Sequence, residues 1–235
     1  MQQIIQLSIF PFGMINCFLI KGQDKHILVD TGVPGSEGRI LRQLEARGIS
    51  KEEIGLIIIT HGHIDHFGSV KELQEILKVP ILIHEGDKAA LETGMSLPDT
   101  LKANHKIWNY TLKPKLLHDK AHPCRADITL TDGEEYDLAP FGIKGKVIHT
   151  PGHTPGSLSI ILNDGSAIIM DLASSGILLG GIAFSSRMKH PPFHDDLQQV
   201  KDSIRKVLSL NTHTFYLGHG HPVKRAGLQR YLEMI

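Results

Sequence analysis

Apolar residues follow two spacings along this chain, and each change of spacing marks an element. Short apolar, β-rich runs occupy residues 2–9, 15–20 and 26–30. Pro11, Gly13 and the turn segment Lys21-Gly22-Gln23-Asp24 separate them, which predicts three strands. Residues 36–47 switch to helical spacing, with Ser36 placed as the N-cap. Leu56 to Ile59 is continuously apolar, the pattern of a strand covered on both faces. A helix over about 67–77 and a strand at 80–83 follow.

Residues 85–125 lose this regularity. Helical pieces of weak period carry Trp108, Tyr110, lysines and prolines, and predict a helical insertion between two β-containing halves. Beyond it the pattern predicts strands near 127–130, 134–138, 143–149, 158–162 and 167–170, a helix near 195–209 and a strand at 214–217. No repeat, low-complexity segment or linker divides the chain. The expectation is one α/β (α+β) domain over 1–235.

Composition narrows the function. Lysine plus arginine and aspartate plus glutamate number 25 each, a balance that argues against a broad electrostatic hold on nucleic acid. Cys17 and Cys124 are too few for a disulfide framework, and Cys17 sits in an apolar run as a buried small hydrophobe. The chain starts without a basic leader pattern, and no run reaches membrane-span length. A cytoplasmic protein with a small-molecule partner and no membrane partner is expected. The pattern does not read out an oligomeric state.

The histidines change the picture most. There are 15, and several crowd into the stretches His61 to His66 and His149 to His153. In Thr60-His61-Gly62-His63-Ile64-Asp65-His66, His61 and His63 are spaced to grip one ion, while Asp65 and His66 diverge towards another. Imidazole with carboxylate suits zinc, and also iron or manganese. Gly62 offers backbone freedom that a side chain forbids. His153 follows in His149-Thr150-Pro151-Gly152-His153-Thr154-Pro155-Gly156, Asp171 ends an apolar run, and His219 lies in Gly218-His219-Gly220. Each comes directly after an apolar run, where a loop presents side chains from a rigid frame. His149 reads as a structural strand-end residue. His26, His105, His118, His122, His213 and His221 read as ordinary surface or turn residues.

With Leu28-Val29-Asp30-Thr31-Gly32, these motifs stand in an order that resembles the metallo-β-lactamase superfamily across essentially the whole chain. The resemblance implies a four-layer αββα sandwich with two metal ions, zinc or alternatively iron or manganese, at one edge. It implies His61, His63 and His153 on the first ion, Asp65, His66 and His219 on the second, and Asp171 bridging. It also implies that Asp30 supports the ligand loops without binding metal. A two-metal centre yields hydroxide at neutral pH, with Asp65 or Asp171 as the catalytic proton relay.

The resemblance leaves several substrates open: an ester, lactone, thioester or phosphodiester of a small molecule. Asp171 points away from the metal-dependent β-lactamases. The short stretch after His219 points away from the glyoxalase II group, whose glutathione-binding helical domain lies there. Acyl-homoserine lactonases carry a tyrosine after the bridging aspartate, and Asp171-Leu172-Ala173-Ser174-Ser175 has none. An iron persulfide dioxygenase-like enzyme and a non-catalytic metal-binding module are the alternatives. A full ligand set favours an enzyme, since a structural zinc site closes with four ligands.

Arg187, Lys189 and His190, in the stretch from Ser186 to His194, are candidate pocket residues for an anionic group. The stretch reads equally as a solvated loop. Trp108 is a candidate apolar pocket residue and equally a core residue.

Overall fold

The structure is a computed structural model that describes residues 3–177, 183–184 and 187–235. Two six-stranded sheets form its centre. The first contains β1 (Ile4–Ser8), β2 (Asn16–Ile20), β3 (His26–Val29), β4 (Ile54–Ile58), β5 (Ile81–His84) and β6 (Ile128–Leu130), side by side in chain order. The second starts from β7 (Glu135–Asp137), β8 (Gly145–His149), β9 (Leu158–Leu162) and β10 (Ser166–Ile168). A small ribbon of β11 (Ser174–Ser175) and β12 (Met188–Lys189) leaves it, and β13 (Thr214–Tyr216) and β14 (Val223–Lys224) complete it beside β10.

Alternation along buried strands splits the core into layers. On β4, Leu56 and Ile58 face the second sheet and meet Val147, Leu158, Ile160 and Ile168. Ile57, and Ile59 just beyond the strand, face the other way, towards helices α1 (Glu37–Glu45) and α3 (Val70–Leu77). On the far face of the second sheet, Ile148, Ile169 and Phe215 pack against α7 (Leu197–Ser209) and α8 (Arg225–Met234). The order helix, sheet, sheet, helix is the expected αββα sandwich. A continuous apolar run is required of β4 because both of its faces are buried.

Several local expectations shift. The helix expected over 67–77 is two, a short α2 (Ile64–Phe67) and α3, separated by Gly68 and Ser69. Ser36 stands at the N-cap of α1 but makes no capping bond with its side chain; its own N–H donates to Ser69 Oγ at 2.7 Å. The strand expected from 143 begins at Gly145. Residue 2 of the first expected strand lies outside the described residues.

The segment 85–125 holds α4 (Lys88–Thr93), α5 (Lys106–Tyr110) and α6 (Leu112–His118). It does not separate the two halves: it leaves β5 and returns in β6, and both belong to the first sheet. These strands are parallel, and a parallel pair needs a long crossover, which the segment supplies.

Candidate metal centre

The ligand candidates arrive at one edge of the sandwich from five places. His61 and His63 follow β4, and Asp65 and His66 occupy the short α2. His153 lies in the turn between β8 and β9, Asp171 in the turn after β10, and His219 just after β13. Parallel pairing of β10 with β13 puts Asp171 and His219 at the same strand end. Met170, at φ 40°, takes a left-handed conformation uncommon outside glycine as the chain turns into Asp171. Gly218 has no room for a side chain: a Cβ there would lie 2.2 Å from Asp171 Oδ1 and 2.8 Å from His66 Cε1.

Two triads result. Ligand atoms of His61, His63 and His153 lie within 4.8 Å of one another, as do those of Asp65, His66 and His219. His63 Nδ1 is 3.0 Å from His153 Nε2. Asp171 stands between the triads, its Oδ2 3.6 Å from His153 Nε2, 3.1 Å from His219 Nε2 and 3.7 Å from His66 Nε2. All seven are buried except Asp65, which is partly open.

Outer hydrogen bonds decide which ring nitrogen faces inward. Thr100 donates to Leu97 O at 2.6 Å, so its oxygen accepts from His63 Nε2 at 3.0 Å and leaves Nδ1 with its lone pair. Thr60 donates to Asp30 Oδ2 at 2.7 Å and accepts from His61 Nδ1 at 3.1 Å, which leaves His61 Nε2 free. His66 Nδ1 donates to Asp30 Oδ2 at 2.8 Å, and His219 Nδ1 to Met14 O at 2.5 Å. His61 Nε2, His66 Nε2 and Asp171 Oδ1 are buried with no hydrogen-bond partner. Such orphans are costly in a protein interior. Imidazole lone pairs converging beside carboxylates are a donor set that fits zinc, and an ion satisfies the orphans.

Charge divides the triads. Burial, then the neighbouring histidines, push His61 and His153 well below their ordinary value. Burial brings His63 down to about 4. Burial also opposes charge on His66, but Asp171, Asp65 and Asp30 outweigh it and carry His66 up to about 10. His219 is raised against burial by Asp171. Asp171 itself is held well below the carboxylate range: burial opposes its charge, but His219 and His66 prevail.

Asp30 reaches its place with φ 59°, tolerable for aspartate, and accepts from Thr60 N at 2.7 Å as well as from His66. The pattern of the sequence did not single out three other supports. Asp87 accepts from Gly62 N at 2.7 Å, Gly156 N at 3.0 Å and Thr154 Oγ1 at 2.5 Å. Ser96 accepts from Ile64 N at 2.9 Å, and Thr100 holds His63. Asp87 follows the apolar run of β5 as the ligands follow theirs, which is its one sequence signal. Gly62 is needed for closeness rather than for an unusual φ, since a Cβ would meet Ala90 Cβ at 2.9 Å. His149 stacks on His84 at 3.8 Å and donates to Pro155 O at 2.8 Å, which fixes the loop that carries His153.

A cavity of about 430 Å³ opens on His63, Asp65, His153, Asp171 and His219. Arg187, Lys189, His190 and Trp108 do not line it; they line a second cleft with Tyr231 of α8. The β11–β12 ribbon folds residues 187–190 back towards α8, where Tyr231 Oη lies 3.1 Å from His190 Nδ1. The following Pro191-Pro192 turn then delivers Phe193 to the metal side. Ser186 lies outside the described residues.

The model of the metallo-beta-lactamase superfamily matches residues 10–219. The chain belongs to that superfamily. Within it, this chain is 34% identical over 224 residues to "Probable metallo-hydrolase MJ0888" of Methanocaldococcus jannaschii, covering 92% of each. It is 27% identical to "Probable metallo-hydrolase YflN" of Bacillus subtilis, over 84% of this chain and 76% of that one. The fold matches the superfamily protein ST1585 from Sulfolobus tokodaii at a TM-score of 0.68 and 20% identity, covering 100% of this chain and 86% of that one. The protein is thus a metallo-hydrolase superfamily member whose His/Asp clusters can ligate metal. No helix among the described residues is long and apolar enough to cross a membrane.

Proposed function

We propose that the protein is a binuclear zinc-dependent hydrolase that cleaves an ester, lactone, thioester or phosphodiester of a small molecule. The observation that carries this reading is the carboxylate of Asp171, within 3.7 Å of imidazoles from both triads. His61, His63 and His153 would hold one ion and Asp65, His66 and His219 the other, with Asp171 between them. Zinc bound there supplies an activated water and polarises the scissile bond.

The chain's own residues do the rest. The neutral histidines of the first triad offer lone pairs at pH 7 without first losing a proton. Asp65, with a side chain 16% exposed against 4% for Asp171, is the carboxylate better placed to pass a proton to a leaving group in the cavity. The cavity suits a small molecule and not a polymer. Two buried, unpaired cysteines suit a cytoplasmic setting.

The test is metal content per chain, followed by a hydrolysis panel of a lactone, a thioester, a phosphodiester and a β-lactam. Two zinc ions per chain, and one activity lost on chelation and restored by zinc, are expected. Zinc-loaded protein silent on all substrates would refute the reading and turn attention to an iron-dependent dioxygenase assay.

A further inference from the structure

The cavity that opens on the triads is polar at its floor and apolar on its walls. One wall is the turn from Phe10 to Ile15, which contributes Phe10, Met14 and Ile15. Leu112 and Leu116 of α6, with Phe193, contribute further apolar lining. The first wall is fixed to the metal centre. Gly13 O accepts from Gly220 N at 2.7 Å, and Asn16 Nδ2 reaches Leu217 O and Gly220 O on either side of His219. An apolar surface held this firmly against the ligands is a pre-formed subsite. Phe12, 62% exposed at φ 61°, extends the apolar surface of the same turn into solvent.

The cavity lining carries two cations, Lys115 and Lys120, among mostly apolar side chains. Lys115 at the cavity is paired with Asp119 at 2.5 Å, and Lys120 is exposed at the rim. Arg187, Lys189 and Arg230 line the second cleft. An uncharged chain lying along Leu112, Leu116 and Phe193 buries apolar surface, whereas a charged group on that wall would lose hydration without a buried partner.

Building on the hydrolase reading, we infer that the substrate is a carboxylic ester or thioester with an uncharged, apolar acyl group. That group lies between the Phe10–Ile15 turn and α6, and the acyl carbon lies over the triads. Water adds to the acyl carbon, the C–O or C–S bond breaks, and the water's proton leaves with the alcohol or thiol. The products are a carboxylic acid and an alcohol or thiol, and no other reactant is consumed.

Two series test this. With zinc-loaded protein and p-nitrophenyl alkanoates from acetate to octanoate, kcat/KM should rise about 4-fold per methylene until the cavity is full, chiefly through KM. With metal-free protein and uncharged straight-chain alkanamides, calorimetric affinity should rise similarly, with a heat capacity of binding that grows more negative. Leu112→Lys, in α6, and Phe10→Ser, in the turn, should each flatten both slopes. Phe10 is 40% exposed, so its loss leaves the core intact. Hydrolysis and binding that ignore chain length would overturn the inference and leave the hydrolase reading standing. So would cleavage of a phosphodiester alone. Chain-length-dependent binding without hydrolysis of any ester would overturn the hydrolase reading and leave the apolar ligand class standing. Slopes unchanged in both variants would overturn the placement of the acyl group.

Discussion

Asp87 and Thr154 meet at 2.5 Å, carboxylate oxygen to hydroxyl, across the gap between the two loops that carry His61, His63 and His153. The same carboxylate receives the N–H groups of Gly62 and Gly156, so one buried side chain sets the spacing of both loops. Burial pushes the acid of Asp87 upward, while Thr154 and the two N–H groups hold it down.

Asp87→Ala strands three donors in the interior and should cost about 3 kcal/mol of stability. It should also weaken zinc binding by roughly 10- to 100-fold, because the loops lose their common anchor. Thermal melting with a zinc-competition titration reads both effects. Wild-type affinity in a folded variant would show that the loops hold their spacing without Asp87.

Thr100→Val keeps the shape of the side chain and removes the acceptor that fixes the tautomer of His63. Affinity of the first triad for zinc should fall about 10-fold, with a loss of about 1 kcal/mol in stability of the metal-free protein from the lost hydrogen bonds. Thr100→Ser should restore the affinity. Equal losses in both variants would assign the effect to packing.

The two triads should load zinc with different pH dependence. His61, His63 and His153 have lowered pKa values and are neutral at pH 7, so an ion there displaces almost no protons. His66, raised to about 10, is protonated in the metal-free protein and must release its proton to bind, and Asp171 raises His219 in the same direction. Affinity at the second triad therefore falls as pH falls through neutrality, while affinity at the first holds until the pH approaches about 4, where His63 charges. Calorimetry in buffers of different ionisation enthalpy should show one event without proton release and one with it. Equal release in both events would contradict this division.

Gly218→Ala should empty the second triad while the sandwich persists. The added methyl meets the Asp171 carboxylate and the His66 ring, so one of them must move. A stability cost of about 1–3 kcal/mol is expected, with metal content falling from two ions towards one. Two ions retained in the variant would mean that the turn yields more readily than the carboxylate.

The sequence discloses much of this arrangement for identifiable reasons. β4 is legible because both of its faces lie in cores, so every position is apolar. The candidate ligands are legible as a cluster because their residue types are rare in combination and each follows an apolar run, and the structure gathers their side chains at one edge. β11, β12 and β14 leave no such trace, being two residues each. No element was expected beyond 217, yet α8 follows, with its buried face reduced to Leu228 and Tyr231. Thr100 and Asp87 are ordinary polar residues in sequence and gain their roles only when the crossover packs on the ligand loops. Arg187, Lys189 and His190 show the converse. The sequence made them pocket candidates, and a two-residue ribbon turns them into a second cleft.

Asn16 bonds partners 201 and 204 residues further along the chain, on either side of His219. During synthesis from the N-terminus, the His61–His66 loop emerges long before that turn exists. Until Asn16 captures it, six of the seven candidate ligands are present without His219. Because His219 is the last candidate ligand along the chain, the second triad can be completed only once that turn has emerged and docked against Asn16.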